Sequence, residues 1–271
     1  MQPTTPQPLV TRTVLITGAS SGIGLDLARL FAADHYRLVL SARSEETLAT
    51  VAEELERLHA SEVVVIPIDL TETGAPDEIA RLLAERGISV DVLVNNAGYG
   101  AHGPFVESDL HEQLGMLQLN IAALTHLTRL FLPGMVERKW GRIMNVASTA
   151  AFQPGPLMAC YYATKAYVLS FSEAISSELT GTGVTVTALC PGPTSTAFTV
   201  RARVEQTRVF QANMMDSATV ALLGYQAMNR GKVVAITGLN NQLLAMSNRF
   251  FPRFLVRKVV KRLNSARTLS H

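Results

Sequence analysis

Short runs of contiguous Val, Ile and Leu recur along this chain, and between them apolar residues return every three or four positions. The runs Thr13–Thr17, Arg37–Ser41, Val63–Ile68, Asp91–Asn95, Gly141–Ala147, Val184–Cys190 and Val233–Ile236 predict seven strands buried on both faces, the mark of a parallel sheet. The intervening stretches predict helices after Gly24, from Ser44 to about His59, from about Ala75 to Arg86, from about Leu110 to Arg138, and through Tyr161. Strands that alternate with helices imply an α/β fold, a doubly wound parallel sheet with helices on both faces. Residues 1–10 read as a flexible, proline-rich tail, 11–238 as a single domain, and 239–271 as a C-terminal extension.

Composition narrows this picture without redirecting it. At 271 residues and 48% apolar content the chain can bury a large core in one domain. A net charge of +2 gives no reason to expect nucleic acid as a partner. The charge is uneven, however: from Arg201 onward the only acids are Glu205 and Asp216, against twelve Lys and Arg. Cys160 and Cys190 are the only cysteines and have no metal-ligand spacing around them, so neither a disulfide framework nor a metal site is expected. The first residues lack the basic end and apolar run of a signal peptide, and the uncharged run Ile143–Thr164 is broken by Pro154-Gly155-Pro156. A soluble, cytoplasmic protein is the expectation.

The chemistry-bearing positions sit where these predicted elements end. Gly18, Gly22 and Gly24 fall between a strand and a helix, where bare backbone and unpaired helix N–H groups can approach a pyrophosphate. On the helix through Tyr161-Tyr162-Ala163-Thr164-Lys165, Tyr161 and Lys165 are one turn apart and share a face; Tyr162 does not share that register. A phenol is a poor acid at neutral pH, and a neighbouring ammonium lowers its pKa toward the working range. Ser148, thirteen residues before Tyr161, closes a strand where its hydroxyl can reach over the sheet edge.

With Asn95-Asn96-Ala97-Gly98, Ser148, Tyr161, Lys165 and Pro191-Gly192 in order, residues from about Thr11 to Lys232 resemble the short-chain dehydrogenase/reductase family, whose sheet is of Rossmann type. The resemblance implies that Thr17-Gly18 with Ser20, Ser21, Gly22, Ile23 and Gly24 holds the cofactor phosphates. It implies that Asp69 and Leu70 bracket the adenine, and that Asn96, Ala97 and Gly98 line the adenine-side ribose, with Asn95 structural. It assigns the catalytic tetrad to Asn120, Ser148, Tyr161 and Lys165, and makes Pro191, Gly192 and Thr196 the segment over the nicotinamide. In these roles Ser148 bonds the substrate oxygen and Tyr161 moves its proton. Lys165 bonds the nicotinamide ribose and lowers the tyrosine pKa, and Asn120 holds a water.

Ala42 stands where an NAD-preferring member carries an acid, and the following Arg43, with the Ser41 hydroxyl, suits a 2′-phosphate. NADP(H) is therefore favoured over NAD(H), although Ser21 is neutral where many NADP-preferring relatives carry a second basic residue. The substrate walls are expected from Tyr99–Val106, from Ala150–Cys160 and after Pro191, with Phe152, Leu157, Met158, Phe198 and Phe210 the notable apolar members. These point to an apolar carbonyl or secondary alcohol of small to medium size. The alternatives are a 3-oxoacyl-thioester reductase and, in a different class, a catalytically silent dinucleotide sensor. In the extension, Leu255, Val256, Val259, Val260 and Leu263 form one helical stripe and Arg253, Arg257, Lys258, Lys261 and Arg262 the other. The apolar stripe is expected to pack on the domain or on another subunit, with peripheral membrane contact through Arg253–Arg262 as the alternative. A homo-oligomer, dimer or tetramer, is expected.

Overall fold

The computed structural model describes residues 12–205, 207–208, 214–248 and 250–265. The tail expected over 1–10 and Phe210 lie outside them. Seven strands form one fully parallel sheet: β1 (Thr13–Thr17), β2 (Arg37–Ala42), β3 (Val63–Pro67), β4 (Val92–Asn95), β5 (Gly141–Val146), β6 (Val184–Cys190) and, last in the chain, β9 (Val234–Ile236). Their order is β3-β2-β1-β4-β5-β6-β9. A small parallel pair, β7 (Thr194–Ser195) with β8 (Met215–Asp216), closes the excursion that follows Pro191. All seven strands read from the apolar runs are present in the sheet.

Alternation along β1 divides the core. Val14 and Ile16 pack with Leu27 and Phe31 of helix α1 (Gly22–Ala33), while Leu15 packs on the opposite face with Ile79 and Leu83 of α3 (Ala75–Glu85). These side chains are at most 1% exposed, and each contributes about 1.5–3 kcal/mol by leaving water. Helix α2 (Glu45–His59) starts where the Ser44 hydroxyl accepts from the Thr47 amide at 3.2 Å.

The long helix read over Leu110–Arg138 is interrupted. It runs as α4 (Leu110–Leu117) and α5 (Leu124–Glu137), joined by a π-helical turn over Gln118–Ala123 that contains Asn120. A π turn inserts one residue into the i→i−4 ladder and re-aims the side chains that follow. Here the buried Asn120 amide repays it, donating to Tyr99 O at 2.9 Å and Thr164 Oγ1 at 3.1 Å and accepting from the Tyr99 amide at 3.2 Å. Periodicity alone does not show this, because the apolar spacing continues across the turn.

Helices α6 (Ala159–Glu178), α7 (Ala197–Arg201) and α8 (Ser217–Asn229) complete the body, and the extension forms α9 (Leu239–Ser247) and α10 (Arg253–Asn264). Val256 and Val260 are buried against Met158, Tyr162, Ala202 and Val204. Asn264, fully buried, locks the end of α10: its amide donates to Pro156 O at 2.9 Å, its Oδ1 accepts from the Tyr162 hydroxyl at 3.2 Å, and its carbonyl meets His102 Nε2 at 2.7 Å. Two of the five residues of the predicted apolar stripe, Val256 and Val260, are therefore buried against the chain's own body.

Candidate active site

Strand order reverses between β1 and β4, and a doubly wound sheet opens a crevice at the carboxyl ends of its strands at that point. Gly18 follows β1, Arg43 follows β2, Asp69 follows β3, Asn96–Gly98 follow β4, Ser148 follows β5 and Pro191 follows β6. One cavity of about 1350 Å³ joins them. Its wall includes Gly18, Ser20, Ser21, Gly22, Ile23, Ser41, Arg43, Asp69, Leu70, Asn96, Ala97, Gly98, Ser148, Tyr161, Lys165, Pro191, Gly192 and Thr196. Of the positions read from sequence, Gly24 and Asn120 stand behind the wall.

Their places have physical reasons. A Cβ on Gly24 would lie 2.3 Å from Gly18 O and 2.5 Å from Asn96 Nδ2, so this glycine lets α1 seat against the turn. Gly22 has φ +55°, and a Cβ there would meet Thr196 Cγ2 at 2.9 Å. Asn96 Nδ2 donates to Thr17 O at 2.9 Å and Gly18 O at 3.0 Å, fixing the turn from the neighbouring strand. Thr17 Oγ1 accepts from the Asn96 and Ala97 amides, each at 3.0 Å. The bare turn and the helix start above it form a cradle of the size and polarity a dinucleotide pyrophosphate needs.

At the end where the adenine was expected, Asp69 Oδ1 accepts from the Thr71 amide at 2.9 Å and hydroxyl at 2.8 Å, which holds the carboxylate in place. The Ser41 hydroxyl is buried without a partner among the described residues, an orphan that a ligand oxygen would satisfy. Arg201, not singled out from sequence, also lines the cavity, its guanidinium 4.3 Å from the centre of the Tyr99 ring. Burial, and next the like charge of Arg43, hold Arg201 below the usual guanidinium range. Arg201 comes from the segment between β7 and β8, so only the folded path brings it here.

At the other end the Ser148 hydroxyl accepts from the Ala150 amide at 3.1 Å, donates weakly to Pro191 O at 3.4 Å, and is hydrogen-bonded to Tyr161. Lys165 Nζ donates to Val146 O at 2.7 Å and lies 5.8 Å from the Tyr161 ring centre. Asn120 Oδ1 and Lys165 Nζ sit 3.0 and 3.6 Å from where a Cβ on Gly98 would be, so any larger residue there would press on both. Burial lowers the Lys165 pKa to about 8. The effect expected of it on Tyr161 is absent: burial pushes the phenol well above its usual range, and only the Ser148 hydrogen bond opposes that. One of the ammonium's donors is engaged by the Val146 carbonyl. Burial likewise raises the thiol of Cys190, close to Lys165, to about 12, and both cysteines are free.

The apolar walls differ from expectation. Met158 and Phe198 line the cavity. Phe152 instead packs beside Leu124 and Val168, and the loop from Tyr99 to Val106 backs the wall rather than lining it: a Cβ on Gly100 would meet Phe198 at 2.9 Å, Tyr161 at 3.1 Å and Met158 at 3.3 Å. Leu157, with φ +69°, belongs with Ala101 and Phe105 to a separate small pocket of about 20 Å³. In their place the extension closes the cavity, with Leu239, Leu244, Phe251, Leu255, Val259 and Leu263 on its wall. A Cβ on Gly192 would fall 2.2 Å from Asn241 Nδ2, so α9 also bears directly on the Pro191–Gly192 turn.

Comparison with known proteins agrees with this geometry. A model of the short chain dehydrogenase family matches residues 12–207. The ketoacyl reductase HetN of Nostoc is 36% identical over 197 residues, which span 72% of this chain and 68% of that protein. A short-chain dehydrogenase from Sphingobium yanoikuyae in complex with NADPH superposes with a TM-score of 0.80 at 30% identity, over 96% of this chain and 98% of its own. A short chain dehydrogenase/reductase from Burkholderia phymatum in complex with NAD gives 0.79 at 25% identity, over 96% and 98%. Coverage that high takes in most of the extension.

Proposed function

The chain belongs to the short-chain dehydrogenase family, and from that premise we propose that it reduces an apolar ketone to a secondary alcohol at the expense of NADPH. It is an oxidoreductase that uses a nicotinamide dinucleotide and interconverts a carbonyl and an alcohol. The finer reading rests on one observation: the Tyr161 hydroxyl, hydrogen-bonded to Ser148, faces the same cavity whose far end is the glycine cradle.

When bound, the nicotinamide supplies the hydride. Ser148 holds the substrate oxygen by donating its hydroxyl proton, giving up the long contact to Pro191 O. Tyr161 passes its proton to that oxygen as negative charge develops there, and the fixed hydroxyl pair stabilises that charge without reorganisation. An ammonium has three donors, and the Val146 carbonyl takes one from Lys165, which leaves two for the hydroxyls of the nicotinamide ribose. A ribose held there would keep Lys165 charged beside Tyr161, where a cation lowers the pKa that burial raises. Asn120 acts as a positioning residue, holding Tyr99 and Thr164 around the π turn.

NADPH is favoured over NADH because Arg43, Arg201 and the orphaned Ser41 hydroxyl converge on the adenosine end, so the second cation that Ser21 does not provide comes from α7. The apolar wall supports a ketone over a sugar. The similarity to a ketoacyl reductase keeps a 3-oxoacyl thioester as the second reading. The exposed Leu110, Leu114 and Leu117 on α4 fit a homo-oligomer. Among the described residues no helix is long and apolar enough to cross a membrane, and we place the protein in the cytoplasm with its basic extension available for peripheral contact. The test is loss of NADPH absorbance over a panel of apolar ketones and 3-oxoacyl thioesters. Turnover on a ketone supports the reading. Tight NADPH binding with no turnover on any member replaces it with the dinucleotide sensor.

A further inference from the structure

The cavity opens through its apolar roof. Ser21, Arg43, Ser44 and Arg201 are exposed at the polar end of the cavity, whereas the large apolar residues that line it and are also exposed mark its apolar mouth, and these are Leu239 (77% exposed), Leu244 (64%), Phe251 (57%), Val259 (57%), Leu255 (41%) and Leu263 (40%). Every one belongs to the C-terminal extension. Beyond this rim the apolar surface continues onto side chains that do not line the cavity and are more than half exposed: Phe250 at 81%, Leu243 at 67%, Met246 at 61% and Phe254 at 52%. Scattered exposed apolar residues need no explanation, but a cluster around a ligand mouth marks an interaction surface.

The charge around it selects the occupant. Arg253, Arg257, Lys258, Lys261 and Arg262 are all exposed on α10, and none has a carboxylate within salt-bridge distance among the described residues. From Ser217 to the end of the chain there is no Asp or Glu. A two-fold contact with a second copy would lay this patch on itself, cation against cation with no acid to relieve it. An anionic bilayer meets both features, with acyl chains for the Phe and Leu side chains and headgroups for the basic rim.

We propose that the exposed face of the extension docks on an anionic membrane, with Phe250, Phe254 and Leu243 in the acyl boundary, so that the mouth opens into lipid and the substrate is a ketone that partitions into the bilayer. This rests on the reading of the cavity as a carbonyl-reducing site. The buried stripe of Val256, Val260 and Asn264 keeps α10 on the protein, so it is the outer face and the preceding Phe pair that enter the membrane.

The test is sedimentation of the full chain with vesicles of phosphatidylcholine, with and without about one quarter phosphatidylglycerol, at low and high salt. Binding to the anionic vesicles alone, weakened by salt at roughly fivefold per cation engaged, is the expected result. The double variant Phe250→Ser, Phe254→Ser should lose at least about tenfold in binding, since neither ring holds the fold together, and should also lose the advantage of anionic vesicles in turning over a long-chain ketone. Its turnover of a short water-soluble ketone without vesicles should match the wild type. No binding to anionic vesicles at low salt would overturn the proposal, as would binding that the double variant retains. So would a wild-type dimer, free of lipid, that the same variant dissociates. Wild-type failure on the soluble ketone would instead strike at the carbonyl-reducing site, separately from vesicle binding.

Discussion

Replacing Asn264 by Ala tests whether the extension is built into the site or rests loosely beside it. The side chain is fully buried, donates to Pro156 O at 2.9 Å and accepts from the Tyr162 hydroxyl at 3.2 Å. Truncation leaves that carbonyl and that hydroxyl buried without partners, at about 1–3 kcal/mol each, so a total of about 2–4 kcal/mol after partial relaxation is expected. The loss falls on the docking of α10, because Val256 and Val260 pack on residues outside the sheet. The sheet has its own core. Amide exchange over residues 253–265 should therefore accelerate about 30-fold to 1000-fold, while peptides from β1 and β5 stay as in the wild type. Tyr162→Phe, which breaks one of the two bonds, should give a smaller increase. Because Leu255, Val259 and Leu263 line the cavity, KM for a bulky ketone should rise in parallel. Exchange in α10 within about threefold of wild type would refute the reasoning, since it would mean that Asn264 does not hold the helix.

Gly24→Ala should abolish dinucleotide binding by titration and lower stability by about 1–3 kcal/mol, because its Cβ would overlap the Gly18 carbonyl at 2.3 Å, a backbone atom that cannot step aside. Arg43→Ala should weaken NADPH binding about 10-fold to 100-fold and leave NADH nearly unchanged; equal losses for the two would remove the assignment of NADPH. With the Lys165 pKa near 8 in the free protein, raising the pH through that value removes a cation, so cofactor affinity should fall from pH 7 to 9, and Lys165→Arg should flatten the fall. Stability should move the other way. The folded pKa lies below the unfolded value of 10.5, the unfolded chain binds the extra proton between the two, and resistance to urea gains a rising contribution from about pH 8 to 10.5.

What was legible in the sequence was whatever the chain writes contiguously. Strands buried on both faces appear as unbroken Val and Ile runs, and the residues that follow them, such as Asp69 after β3 or Ser148 after β5, reach the crevice because a parallel sheet puts every carboxyl end on one side. Tyr161 and Lys165 need only helical spacing to share a face. The π turn at Asn120 was hidden because it depends on Tyr99 and Thr164, one 21 residues before and the other 44 residues after. The roof of the cavity was hidden for the same reason: Leu255 and Val259 read as part of one stripe, and only docking through Val256 and Asn264 turns them toward the site. Phe152 and Leu157 lie in the expected stretch of chain but point elsewhere, since proximity in sequence to Tyr161 does not fix which wall a loop residue joins. The raised pKa of Tyr161 is a property of its enclosure, which no spacing encodes.

The proton-donor role of Tyr161 is the account's central claim, and single-turnover reduction of an apolar ketone by Tyr161→Phe tests it most directly. The ring and its contact with Phe198 remain, so NADPH should bind within about threefold of wild type while the rate falls at least about 100-fold. A variant that binds NADPH and reduces the ketone at a rate within a few-fold of wild type would contradict the account, because the proton would then come from elsewhere.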